Sequence, residues 1–287
     1  MNCAPLLLVG LLIASTALAA GQTEGTDTGA VSAQKTVDGY WEPTAFVEEA
    51  GRLPAGYKGL DPKKFLDMFK SRVAGLKKGE FETTAEFAQR TSNKDALLAP
   101  INTIELYAFR NDLIDSKYGF RYDADSQTYT IGGLIGNYSC SEAIWSDKWV
   151  ICNVSIITRS HDTYEGTNAF GASRTVEREG GSNFALAFLK NSPLLSSVMS
   201  QRNYRYEYED KLSVPLEHAR RLKDMELAVL FVGRVGAAQI VENRSSYRPT
   251  LDWPREVSIT ANAVPFVIKK IVYYVVQTGE ILGQRDF

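Results

Sequence analysis

Between Asp61 and Gly79 the apolar residues Phe65, Phe69 and Val73 come every four positions, widened by Leu66 and Leu76, with Lys and Arg on the opposite face. That period predicts an amphipathic helix over 62–76. Asp61 can cap its free N–H groups, and Pro62 suits the first helical position, where no N–H partner is lost. Thr83 and Glu86 have the spacing of a capping box, so a second helix is expected to run to about Thr91. A third runs from Pro215 to about Met225, with Leu216, Ala219 and Leu222 inward and Arg220, Arg221 and Lys223 outward.

From Thr103 the period falls from four to two. Ile104, Leu106 and Ala108 alternate with Thr103, Glu105 and Tyr107; Phe120 and Tyr122 precede, and Tyr129 and Ile131 follow, the turn at Asp123–Ser126. Asp123, Asp125 and Gln127 have the spacing that opens a calcium loop. Thr128 and Leu134 stand where that loop needs Gly and a bidentate Glu, so a plain turn is expected. Further strands are expected over 150–158, 173–179, 184–189, 204–209, 227–235, 257–263 and 266–276. Residues 161–171 read as a long polar loop, and Gly180-Gly181 as a turn within an antiparallel meander. The fold class is therefore α+β: an extensive, mainly antiparallel β-sheet with two or three packed helices. Residues 39–287 are one domain, or two halves meeting at a seam near 190–200.

The segment Asn137–Asn153 holds Cys140 and Cys152, with Trp145 and Trp149 between them. It predicts a β-hairpin in which the cysteines face each other. The compartment bears on whether they pair. Residues 1–20 carry an apolar core, Leu6–Ala14, and a small-x-small site, Ala17-Leu18-Ala19, as in a secretory signal peptide, although no Lys or Arg precedes the core. The run is shorter than the roughly 20 apolar residues of a spanning helix, and no later stretch is apolar enough to span a bilayer. The expected localisation is periplasmic or secreted, where paired thiols persist, so a Cys140–Cys152 disulfide is expected. Residues 21–38 are Gly, Thr, Ser and charge, and predict a flexible tether.

Composition narrows the partners. The chain of 287 residues is 44% hydrophobic and 11% aromatic, ample for a core, and its net charge of -2 argues against a broad nucleic-acid footprint, although 32 Lys and Arg leave room for a local basic patch. With only His161 and His218, a site built on several histidines is not available, and two paired cysteines make no zinc site. No metal or other cofactor is expected. HExxH, GxSxG, GxxxxGK[ST] and GxGxxG are all missing. Ser160, His161 and Asp162 are adjacent in an extended chain and so cannot form a triad among themselves; His161 reads as a solvated loop residue and His218 as a surface residue of the third helix. Tyr204, Tyr206 and Tyr208 share one strand face, either as a platform for sugar or peptide or as rings packed on a core.

The phrase GEFETTAEFAQR resembles a segment of uncharacterised exported proteins of bacteria, as do NAFG at 168–171 and the ending PTLDWP…TGEIL. The resemblance implies a secreted bacterial protein and supplies no catalytic residues. The reading that results is a non-catalytic exported binding or accessory protein of the cell envelope, with another envelope protein or a glycan as partner. The alternative is an exported hydrolase that uses paired carboxylates on glycan or peptidoglycan.

Overall fold

β-Branched and aromatic residues crowd the last third of the chain, and there the longest strand forms. The structure is a computed structural model that describes residues 36–37, 40–41, 46, 51–92, 101, 104–114, 119–135, 140–143, 148–196, 199–200, 205–206 and 208–287. The predicted signal peptide, and all but Thr36–Val37 of the predicted tether, lie outside them. In chain order the elements are β1 (Thr36–Val37), β2 (Tyr40–Trp41), α1 (Pro62–Ala74), α2 (Thr84–Thr91), β3 (Tyr107–Arg110), β4 (Phe120–Asp123), β5 (Thr128–Ile135), β6 (Cys140–Glu142), β7 (Trp149–Thr167), β8 (Ser173–Leu189), α3 (Pro193–Ser196), β9 (Met199–Ser200), β10 (Arg205–Tyr206), β11 (Tyr208–Ser213), α4 (Leu216–Leu222), β12 (Leu227–Val235), β13 (Val241–Tyr247), β14 (Arg255–Val275) and β15 (Ile281–Asp286). The class is α+β with strand predominating.

A large mixed sheet runs β3-β12-β14-β8-β7-β6, with β13 and β15 also paired to β14. β7 and β8 are antiparallel as expected, while β8 and β14 are parallel, and this pairing joins strands from both sides of residues 190–200. β14 also replaces two expected strands. It runs unbroken through Pro265, where its neighbours change: β8 pairing ends at Ala187↔Pro265 and β12 pairing begins at Val235↔Phe266. A missing N–H costs least at such a junction.

The β3–β12–β14 region is covered on both faces. On one, Phe65, Leu66, Phe69 and Val73 of α1 are buried, and the Phe65 ring meets Tyr107, Phe109 and Phe184 edge-on at 4.9–6.1 Å. On the other, Phe46 and Leu53 pack with Ala108, Leu230, Val232 and Tyr274. Double coverage explains why Leu227–Gly233 is buried without alternation. It also explains why Tyr107, Ala108 and Phe109 are buried together; the regular strand begins at Tyr107 rather than Thr103. The expected caps form: the Asp61 carboxylate accepts from Lys64 N, and Thr83 and Glu86 bond reciprocally. Asp123 closes its turn by accepting from Asp125 N and Ser126 Oγ.

Cys140 and Cys152 are directly opposed across β6 and β7 and joined by a disulfide. In the chain-entropy view, closing a loop of this length stabilises by about 3 kcal/mol. Replacing both cysteines by serine is expected to cost about 2–3 kcal/mol by urea unfolding. An unchanged unfolding midpoint would mean that the packed strands alone hold the hairpin. Nearby, Asn243 Nδ2 donates to Ser141 Oγ (2.8 Å) and to Glu142 O (3.4 Å), so the sheet curls until β6 meets β13. Inside the curl lie Ala143, Ile151, Ala185, Ala187, Ala261 and Ala263. Five of these six are alanine, the size that a curl of so few strands accommodates.

Two further expectations change here. Residues 161–167 are not loop but the distal end of β7, paired residue by residue to β8 as far as Thr167↔Ser173. Their polarity reflects two wet faces rather than irregular backbone. Gly180-Gly181 lies in mid-strand, where a Cβ on Gly181 would sit 2.4 Å from Thr158 O at an irregularity of the ladder. These glycines permit close approach rather than a turn.

Candidate functional site

The register of β7, β8, β14 and β13 continues well past the buried core. The distal halves of β7 and β8, with β13 and the first part of β14, form a four-stranded arm. Its residues are exposed or half-buried on both faces, with few exceptions such as Val176 and Asn243. Without a core, the arm is held by its ladder and by cross-strand polar pairs. On one face the Arg178 guanidinium lies 4.4 Å over the Tyr164 ring and within 3.7 Å of Asp162 and 3.5 Å of Glu256. Tyr164 donates to Glu256 at 2.9 Å, and that bond pushes the phenol pKa upward. On the other face Glu179 bridges Arg159 and Arg255 at 3.6 and 2.6 Å. Each pair in water is worth a fraction of a kcal/mol, and together they keep the strands in register.

The distal end is different in character. Phe170, at the tip of the β7–β8 hairpin, is 96% exposed. The loop beneath it is organised by Asn168, whose Oδ1 accepts from Phe170 N (2.9 Å) and Ala172 N (3.0 Å), while Gly171 takes φ +82°. Such a side chain–backbone turn fixes the loop without a core. The β13–β14 loop beside it is pinned by Thr250 N to Trp253 O (2.8 Å) and Trp253 N to Thr250 Oγ1 (3.0 Å). It presents Trp253, 61% exposed, and Leu251, with Tyr247 at its base. Between the loops is a pocket of about 460 Å³ lined by Tyr164, Asn168, Arg174, Val176 and Leu251. Arg174 and Arg248 are exposed here and make no ion pair among the described residues; Asp252 sits in the same loop.

Of the three tyrosines singled out from sequence, two fall in described strands. Tyr204 lies outside the described residues. Tyr206 is in β10, which pairs with β9, whereas Tyr208 is in β11, which pairs with β5. Tyr208 is half-buried, its ring 6.4 Å from Phe287. It joins a cluster at Asp210, whose Oδ2 accepts from Tyr273 (2.8 Å) and Tyr208 (3.4 Å) while Arg285 spans both carboxylate oxygens. Burial pushes the Asp210 pKa up, but bonds from Arg285, Tyr273 and Lys211 N outweigh it and hold the carboxyl below its ordinary range. Burial, reinforced by Asp210, pushes the Tyr273 phenol up. The cluster ties the β4–β5–β11 sheet to β14 and β15. A carboxylate held ionised by five donor atoms from four residues has no free lone pair with which to act as a base.

His161 is exposed on β7 opposite Glu179, and His218 Nε2 lies 3.0 Å from Glu280. Among the described residues no three His, Cys, Asp or Glu side chains are grouped to hold a metal. No helix among them is long and apolar enough to cross a membrane. The arm strands over 173–179 and 257–263 were expected from the sequence, whereas 161–167 and β13, polar on both faces, were not. No protein-family model matches this chain, and neither a curated protein nor a solved structure does.

Proposed function

We propose that this is a non-catalytic, exported binding or accessory protein of the bacterial cell envelope, and that the tip of its arm is the contact surface. The observation that carries this reading is the exposure of Phe170, Leu251 and Trp253 on two loops already fixed by their own hydrogen bonds. Large apolar groups on a rigid, exposed tip have no role in the core and lose little entropy when they are covered. Trp and Tyr with adjacent Arg174 and Arg248 are the residue types that dominate protein–protein hot spots. Export is supported by the leader pattern at 1–20, by the disulfide and by the resemblance of GEFETTAEFAQR to exported bacterial proteins. The partner is accordingly another envelope protein.

The test is site-specific photocrosslinking from position 172 of the full chain in the native envelope, with Phe170→Asp and Trp253→Asp as variants. One discrete adduct, lost in both variants, is expected. Against that identified partner, Trp253→Ala should weaken binding by about 2 kcal/mol. An adduct that persists in both variants would sink the tip as the contact surface. Turnover of peptidoglycan or glycan by the purified mature chain would overturn the non-catalytic reading.

A further inference from the structure

Where β6 approaches β13, the far end of α1 and the connection from β12 leave a cleft of about 850 Å³. Its lining shares no residue with the pocket at the arm tip. Val73, Leu76, Trp149, Ile240 and Val241 contribute an apolar surface, and Lys70 and Lys77 stand along the α1 side. The size is that of small-molecule sites, which are mostly apolar with a few placed polar groups. Lys70 Nζ donates to the neutral Asn262 amide at 2.5 Å, and neither lysine forms an ion pair among the described residues. Glu242 is the one acid in the lining.

We propose that this cleft binds an anionic amphiphile, a carboxylate or phosphate head carried on a single hydrocarbon chain. The chain lies against Val73, Leu76, Trp149, Ile240 and Val241, and the head is held by Lys70 and Lys77. Charge complementarity decides the sign of the head. Two ammonium groups outweigh one carboxylate, and an anion near Lys70 replaces a neutral partner with a charged one. Because Trp149 lines the cleft, occupancy is readable in its fluorescence.

The experiment titrates the full chain with dodecanoate below its micellar concentration, following tryptophan emission and heat. Saturable binding at one site is expected. Decanoate, shorter by two methylenes, should bind about tenfold more weakly. Dodecyltrimethylammonium should not compete. Lys70→Gln with Lys77→Gln should weaken dodecanoate by about tenfold or more, and Glu242→Gln should tighten it. Ala74→Trp, at an exposed position on the cleft wall, should abolish binding with the unfolding midpoint unchanged. The proposal is overturned if dodecanoate does not bind, if the ammonium analogue binds equally, or if Ala74→Trp and the double lysine variant both leave binding intact.

Discussion

Phe109→Ala is expected to lower the unfolding free energy by about 3–5 kcal/mol. Phe109 is fully buried in β3, and its ring lies 4.9 Å from both Phe65 and Phe184 and 5.8 Å from Phe266. It thus touches α1, β8 and β14 at once, and none of these can close the gap without moving the sheet or the helix. The same substitution at Phe170, 96% exposed, should change stability by no more than about 0.5 kcal/mol. Urea unfolding of both variants provides the comparison. If Phe109→Ala cost less than about 1 kcal/mol, the aromatic cluster would not be the keystone of the packing.

The second large effect is expected at Asp210, 5% exposed and the acceptor for Tyr273, Tyr208 and Arg285. Asp210→Ala should cost about 2–4 kcal/mol at neutral pH, chiefly because the buried Tyr273 hydroxyl loses its acceptor. Arg285→Gln should cost much less, since that side chain is 52% exposed and its charge is screened. The pH dependence has a definite sign. A carboxyl whose folded pKa lies below the unfolded value of roughly 3.9 stabilises above that value, and the contribution disappears as pH falls through the folded pKa. The gap between the parent and Asp210→Ala should therefore be full at neutral pH and shrink below about pH 4. A gap that widens on acidification would show that Asp210 is not held ionised by its partners.

Some of these features were legible in the chain because they are local. The Asp61 cap, the Thr83–Glu86 capping box and the four-residue spacing of Phe65, Phe69 and Val73 each lie within one helical turn or two. The turn at Asp123–Ser126 and the facing cysteines of the β6–β7 hairpin are likewise short-range. For these, backbone geometry and side-chain reach determine the outcome with little help from the rest of the chain.

The part of the arm formed by 161–167 and β13 was illegible for a physical reason. Alternation reveals a strand only when one face is buried, and His161–Thr167 has water on both. Its strand character comes from pairing with Ser173–Glu179 on the neighbouring strand. In the same way Gly180-Gly181 and Pro265 suggest breaks locally, yet β7 and β14 run on because neighbouring strands supply the ladder around them.

Local spacing was enough for the caps, the helix faces, the Asp123–Ser126 turn, the opposed cysteines and the general α+β class, since each rests on a few residues. Tertiary structure decided the parallel pairing of β8 with β14, the extension of the arm and the exposure of its tip. It also brought Tyr208, Asp210, Tyr273 and Arg285 together, and opened the cleft beside β13. These depend on which distant strands meet, and no local periodicity records that.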